Sequence, residues 1–405
     1  MAKFYSIKWL AKAEEIDDAL WADCFPPPLE GKWWYQTLET CGIDDQFTFA
    51  YGLIIEHEGL NSLPVGIAPV FVHDVPMDLV APPAVANVLI KLGALVPSLR
   101  YQRTLFVGSP CAEEGTVGLL PHVSLSSVAP YLEQALESLA RKYKAPMIVW
   151  KDFGEKESKQ LEQLCASDNL FKVVSYPGTV VNLPPGQFGD YLKSLKSSHR
   201  HNLSKKLRRS KEQGELNASV IQHPDETILA EIFDLFWQTY EKGKTKFERL
   251  NPQFFRLIAQ LDLSHFVLLR QPETGKLVAF MLCFCFEERV INKFIGIDYA
   301  QGPQWYMYQR LWEAAVDFAM SRSAKEFQSG QTGYRAKLDL GSRLVPLTNF
   351  CKHVNPLIRR VYAHIALDIQ WSSLDDDLKV YLSAHPEGIP ESAKEKELSL
   401  VAGKK

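Results

Sequence analysis

The chain has no long apolar run, no disulfide framework, no metal-ligand cluster and almost no net charge. Among 405 residues, 45 Lys and Arg stand against 48 Asp and Glu, a balance of −3. An overall field therefore says little about partners, and any charge argument must be local. The seven cysteines, Cys24, Cys41, Cys111, Cys165, Cys283, Cys285 and Cys351, are odd in number and scattered, which excludes a small disulfide scaffold. Cys283 and Cys285 lie in the strand-like run "LVAFMLCFCFEE" and read as small buried hydrophobes. Paired ligands at zinc spacing are absent, so no metal is expected. With no zinc finger or leucine zipper, sequence-specific DNA binding is not expected either.

Nor is there a run of the ~20 apolar residues that a spanning helix needs. "MAKFYSIKWLAKAEEIDDAL" interrupts its apolar residues with charges, unlike a signal peptide. The nearest candidate, Leu79–Pro97, is broken by Pro82, Pro83, Asn87 and Lys91. It reads as a buried or lid helix, or as an apolar surface for peripheral contact with lipid or a long acyl chain. These features together point to a cytoplasmic location. No Gly-x-Ser-x-Gly elbow and no catalytic-cysteine signature occurs, so covalent nucleophilic catalysis is not indicated.

What the chain does have is the apolar content of a globular protein and enough length for two domains. Each half runs helices, a strand–turn–strand pair, then helix and strand. "HFVLLRQPETGKLVAFMLCFCFEERVINKFIGIDYA" reads as three antiparallel strands, with a turn at Pro272–Gly275. Asn251 is placed to cap a helix that has Pro252 at its first position. "GYRAKLDLG" alternates, so as a strand it would turn Arg335 and Lys337 to one face. The tail 386–405 is polar, charged and expected to be disordered.

One local charge feature stands out. Eight lysines and arginines fall between Lys193 and Lys211 with no acid among them. Leu192, Leu195, Leu203 and Leu207 recur at helical spacing along Tyr191–Gln213. The run is thus expected to be one packed helix with a wet basic face.

Four segments, in order, resemble the GNAT acyltransferase superfamily in the tandem form of Fem-type aminoacyltransferases, nearest to Fem-like and BioF2-like acetyltransferases. They are the basic helix, "FDLFWQTYEKGKTKFERLNPQFFRLI", the hairpin into "NKFIGIDYAQGPQWYMYQRLWEAAVDFAM", and "EFQSGQTGYRAKLDLGSRLVPLTNFCKH". The resemblance implies an α/β fold with α+β mixed sheets: a GNAT-like unit over residues 1–180 and a second, acyltransferase unit over 181–380. It implies an enzyme that moves an acyl group from an acyl-coenzyme A donor to a small-molecule or peptide amine. The alternatives are an aminoacyl-tRNA-dependent transferase, with tRNA as partner, and a non-catalytic module that binds an anionic ligand.

On that resemblance Asp298, at the end of "KFIGID", is a candidate general base, set against an ordinary Asx turn. His353 is a second candidate, set against a structural histidine. Tyr299 and Tyr334 are candidate proton donors, set against amphipathic packing. Lys337 matches a substrate-contacting lysine, with Arg335, Lys242 and Tyr240 as further substrate contacts. His199, Arg200, Lys205 and Arg208 on the basic helix, with Gln301 and Gly302, are candidates to face donor phosphates. Pro303 stands where the superfamily's phosphate loop would supply an N–H.

Overall fold

The computed structural model describes residues 3–76, 100–166, 170–243, 246 and 248–385. The expectations for Leu79–Pro97 and for 386–405 lie outside the described residues. Two compact units form, residues 1–176 with 346–374 and residues 177–345 with 375–405. Pro346–Leu374, assigned to the second unit on sequence, thus folds with the first. The reason lies in strand pairing.

Among the described residues, the main path of the first sheet runs Phe4–Leu10, Thr48–Glu58, Asn61–Pro76, Tyr101–Val107, Met147–Phe153, Thr348–His353, Phe171–Val174. The second runs Asn217–Ile221, Ser264–Arg270, Leu277–Cys285, Arg289–Ile297, Glu326–Ser329, Gly178–Asn182, Arg343–Val345. Position by position the two orders correspond. In both, the fourth and fifth strands are parallel and their neighbours antiparallel. A helix connects each parallel pair, Leu125–Tyr143 in the first unit and Met307–Ser321 in the second, as a parallel connection requires. The sixth position is exchanged. Gly178–Asn182 follows Phe171–Val174 in the chain but pairs in the second sheet, and Thr348–His353 follows Arg343–Val345 but pairs in the first. Both sheets are mixed, and the fold is a tandem of two GNAT-like α/β units.

In the second unit each sheet face is covered by residues whose spacing predicts it. Leu311, Trp312, Ala315, Val316 and Ala319 of Met307–Ser321 are fully buried on one face. On the other, Phe236 of the helix Glu226–Lys242 and Phe254 and Phe255 of the helix Pro252–Ile258 pack around Phe294. Asn251 caps that last helix through the Phe254 N–H at 3.0 Å, as its sequence predicts. Gly296 permits the close approach. A Cβ there would lie 2.6 Å from the backbone of Leu235 and Phe236 and 2.3 Å from the Phe280 ring.

Two expectations are corrected. "GYRAKLDLG" contains the helix Tyr334–Asp339, started by Gly333 at φ 66°. In a helix, residues two apart point to different sides, so Arg335 is exposed while Lys337 is buried. The basic run is two helices, Phe188–Ser194 and Ser197–Lys211, broken where Leu195 adopts an extended ψ of 149°.

Candidate functional site

The parallel pairs differ between the units. In the first, pairing runs from Thr104↔Met147 to Val107↔Trp150, the end of that strand. Beyond it Gly115 bridges to Phe153, and its N–H donates to the Asp152 carbonyl at 2.8 Å. That backbone lies against the next strand so closely that a Cβ on Gly115 would fall 1.8 Å from the Lys151 carbonyl oxygen. In the second unit, pairing starts at Arg289↔Glu326 and stops at Asn292↔Ser329. Arg289–Ile297 continues for five residues with no strand partner on that side among the described residues. A bulge falls at the same point: Leu282 pairs with Phe294 and Cys283 with Asn292, leaving Lys293 as the extra residue. Bulges bend and twist a strand, and this one marks where the pair separates.

At the vertex sits a polar cluster in an apolar surrounding. Asn292 is 7% exposed, and its Nδ2 donates to Ser329 Oγ at 2.8 Å. Its Oδ1 has no hydrogen-bond partner. Tyr308, from the first turn of Met307–Ser321, buries its hydroxyl beside Ser329 without a well-formed hydrogen bond. Lys337, 7% exposed, donates through Nζ to the carbonyls of Ser329 at 2.9 Å and Gly330 at 3.0 Å. Thr179 Oγ1 donates to the same two carbonyls. Nearby in the chain, Gln331 Nε2 and Ser342 Oγ are also buried without partners. Buried polar atoms are nearly always paired, so a set of orphans at an opened strand pair marks a candidate ligand-binding site. Burial pushes the Tyr308 phenol up, only partly opposed by Ser329. It does the same to Tyr191, whose hydroxyl accepts from Trp312 Nε1 at 3.1 Å and donates to the Leu340 carbonyl. Both phenols are therefore protonated at neutral pH and act as hydrogen-bond donors.

The strand beyond Asn292 leads from this vertex to Asp298, its Ile297 N–H donating to Thr239 Oγ1 at 3.2 Å. Its Oδ1 accepts the Ala300 N–H at 3.0 Å, and its Oδ2 accepts Lys276 Nζ at 2.8 Å and Gln301 Nε2 at 3.0 Å. Burial pushes the carboxyl up, but those three donors outweigh burial and hold it below the usual carboxylate range. Lys242 Nζ lies 3.6 Å from the Tyr299 ring centroid, and Tyr240 stacks on Trp237 at 5.2 Å. Gln301 is tied to Asp298 and Gln271. The Gly302 N–H is directed to the Tyr299 carbonyl at 3.4 Å. The N–H groups of Trp305, Tyr306, Gln309 and Arg310 likewise bond to carbonyls of the same turns. This loop keeps much of its amide capacity for itself.

The basic helix stands beside that loop, because Ser210 Oγ donates to the Trp305 carbonyl and Lys211 pairs with Glu313 at 3.5 Å. Leu203 and Leu207 face the core. Lys205 and Arg208 are exposed, with Arg208 only 3.9 Å from Glu212. Arg200 donates to the Lys193 carbonyl at 3.3 Å. His199 is half-buried, and burial, opposed by Asp339, pulls its imidazole below the usual value.

The structure thus gathers Lys337 with the vertex, and Asp298, Tyr299, Lys242, Tyr240, Gln301 and Gly302 at the far end of the free edge. Tyr334 is fully buried and donates its hydroxyl to the Pro177 carbonyl at 2.8 Å. His353 belongs to the first unit's sheet, where Nδ1 accepts the Asn355 N–H at 3.0 Å and burial pulls the imidazole down. Asn292, Ser329, Tyr308 and Thr179 were not singled out on sequence. The one available signal was an asparagine inside the apolar run "VINKFIGI". Cys24, Cys41 and Cys285 are pushed to about 12 by burial, so none is a thiolate nucleophile at neutral pH.

A family model, FemAB-like, described as peptidoglycan biosynthesis/recognition, matches residues 120–364, more than half of the chain. Among curated protein sequences none matches. The solved structure of FemX superposes with a TM-score of 0.54 at 12% identity, covering 89% of this chain and 100% of that one. A conserved protein of unknown function from Bacteroides thetaiotaomicron gives 0.52 at 12% identity, covering 86% and 99%. A tandem GNAT protein from the clavulanic acid biosynthesis pathway gives 0.46 at 9% identity, covering 88% and 99%. At such identities the likeness is one of fold.

Proposed function

The chain belongs to the FemAB-like family, and from that premise we propose that its second unit transfers an acyl group from an acyl-coenzyme A donor to an amine. Family and fold together support an acyl or aminoacyl transferase. The observation that carries the finer reading is the opened strand pair: beyond Asn292 the strand has no strand partner on that side among the described residues, although the Ile297 N–H is taken by Thr239 Oγ1 at 3.2 Å, and a polar vertex stands at Asn292, Ser329 and Tyr308. A free strand edge pairs with extended ligands that carry amides, and the pantetheine arm of coenzyme A is such a ligand.

In this reading the donor arm lies along 293–297 and its thioester carbonyl reaches the vertex. The amine attacks the carbonyl carbon, a C–N bond forms, and negative charge develops on the carbonyl oxygen. The Tyr308 hydroxyl is the donor available to that charge, the Lys337 ammonium, held on the Ser329 and Gly330 carbonyls, adds its positive field, and preorganised donors in a dry site are worth most there. The C–S bond then breaks, and the proton given up by the attacking amine passes to the departing thiolate, so the products are the amide and the free thiol of coenzyme A. Asp298 is ionised but shared among three donors. As a base it would have to release Lys276, so its main work is to hold the loop. The donor activates its own carbonyl, and no enzyme nucleophile is required. In the first unit Gly115 bridges to Phe153 beyond the strand pair, so among the described residues there is no corresponding opening at that place.

A second reading, an aminoacyl-tRNA donor, is favoured by the loop before Met307–Ser321. Its amides are largely committed, while Lys205 and Arg208 beside it are exposed. Phosphate contacts of that kind dominate nucleic-acid affinity and weaken with salt. The peptide amine of a cell-wall precursor is then the natural acceptor class. Incubation with a panel of acyl-coenzyme A donors and amines decides between them. Thiol release supports the first reading. No release, with salt-sensitive binding of aminoacyl-tRNA, moves the assignment to the second. Neither response, and no loss of any measurable activity in Lys337→Ala, leaves a non-catalytic binding module.

A further inference from the structure

We propose that the exposed face of the helix Pro356–Ala366 docks on an anionic lipid surface. The helix belongs to the first unit, so the proposal is independent of the transfer site and stands or falls apart from it. Leu357 is 71% exposed, Val361 56% and Ile358 38%. At about 100° per residue, Leu357, Ile358, Val361 and Ile365 fall within about 100° of the helix circumference. Leu357, Ile358 and Val361 turn this aliphatic stripe to solvent, with Ile365 half-buried at its end, the reverse of the usual amphipathic arrangement. The opposite side is fixed. Ala366 is buried, the Tyr362 ring lies 5.8 Å from His353, and the Tyr362 hydroxyl bonds to Gln102 at 3.3 Å. The stripe is therefore a stable feature and not a frayed end.

Charge selects the occupant. "PLIRRVYAHIA" contains no acidic residue, and exposed Arg360 and His364 stand on one flank of the stripe. An aliphatic face bordered by an exposed arginine suits the headgroup boundary of a bilayer, where a long basic side chain reaches phosphates while the apolar face enters the acyl region. Asp368, just past the helix, is the nearest acid in the sequence on that side. A helix of 11 residues lies on a membrane and does not cross it.

The test is co-sedimentation of the full chain with vesicles. Phosphatidylcholine vesicles containing phosphatidylglycerol in equal parts are compared with phosphatidylcholine alone, for wild type, Leu357→Glu/Val361→Glu and Arg360→Glu. All three substituted side chains are exposed, so the variants should fold, and circular dichroism verifies it. Wild type should bind the anionic vesicles and lose binding as salt rises. The double variant should lose it, and Arg360→Glu should weaken it by about fivefold or more. Equal binding to both vesicle types, no binding by wild type, or undiminished binding by the double variant would overturn the proposal. So would a dimer in sedimentation velocity that the double variant dissolves, since a second copy would then cover the face.

Discussion

Lys352 gives the sharpest test of how the exchanged strand is held. It sits on Thr348–His353, 5% exposed, in the first unit's sheet. Its Nζ lies 2.7 Å from Glu133 Oε1 and 2.6 Å from Glu137 Oε1 on the helix Leu125–Tyr143. Glu133 is also 5% exposed and accepts Trp150 Nε1 at 3.4 Å. Lys352→Met keeps the aliphatic volume but leaves Glu133 buried without its cation. Removing one partner of a buried pair costs about 3–5 kcal/mol, while Glu137, 39% exposed as a side chain, can turn to water. In a unit of this size ~1 kcal/mol moves a melting midpoint by ~2–4 °C, so a drop of roughly 6–20 °C in the first unit's transition is expected. Adding Glu133→Leu should recover most of it, because the stranded charge is gone. The pH profile follows from the same pair. Burial lowers the Lys352 pKa, but the two glutamates outweigh it and the net shift is upward. Its contribution is thus complete below the ordinary lysine value and is lost as pH rises through the raised one. Calorimetry should show the wild-type midpoint falling on that alkaline side and the Lys352→Met midpoint falling less. A single variant that melts like wild type, or a double variant no better than the single, would refute the reasoning.

Further outcomes concern the second unit. Asn292→Leu removes an unpaired acceptor that costs ~1–3 kcal/mol and a bond to Ser329 worth ~1 kcal/mol; its midpoint should hold or rise while transfer falls at least ~100-fold. Lys337→Met leaves Thr179 to serve the Ser329 and Gly330 carbonyls, so it should stay folded and lose about 10²–10³ in kcat; an unchanged kcat would remove Lys337 from the site. Asp298→Asn should weaken the loop by losing the Lys276 ion pair. Since hydrogen bonds hold the Asp298 carboxyl below its ordinary value, its stabilisation is present above the unfolded value and fades as pH falls through the folded one; an acid limb in the rate near pH 6 would therefore belong to another group.

Hairpins were legible because strand alternation and turn chemistry are local. The three strands from Ser264 to Ile297 and the Asn251–Pro252 helix start follow that rule. "GYRAKLDLG" misled because six residues alternate by chance as readily as they form a turn and a half of helix, and Gly333 decides it by entering the left-handed region. Four leucines matched a single helix, but spacing cannot report a break at Leu195 that leaves the packing stripe intact. The exchange of Gly178–Asn182 and Thr348–His353 was invisible, since a strand's own residues do not name its partner. Lys337 was reachable only through the family resemblance of "EFQSGQTGYRAKLDLGSRLVPLTNFCKH". Asn292 and Tyr308 matter because of where two strands part, and that is a property of register.

Donor binding depends on the opened strand pair in the second unit. Hydrogen exchange with and without a bound donor measures it directly. A donor along the free edge should slow exchange of the amides at 293–297 and around Ser329–Gly330, and leave 104–107 and 147–150 in the first unit unchanged. Protection confined to the first unit's strand pair, with no change at 293–297, would contradict it.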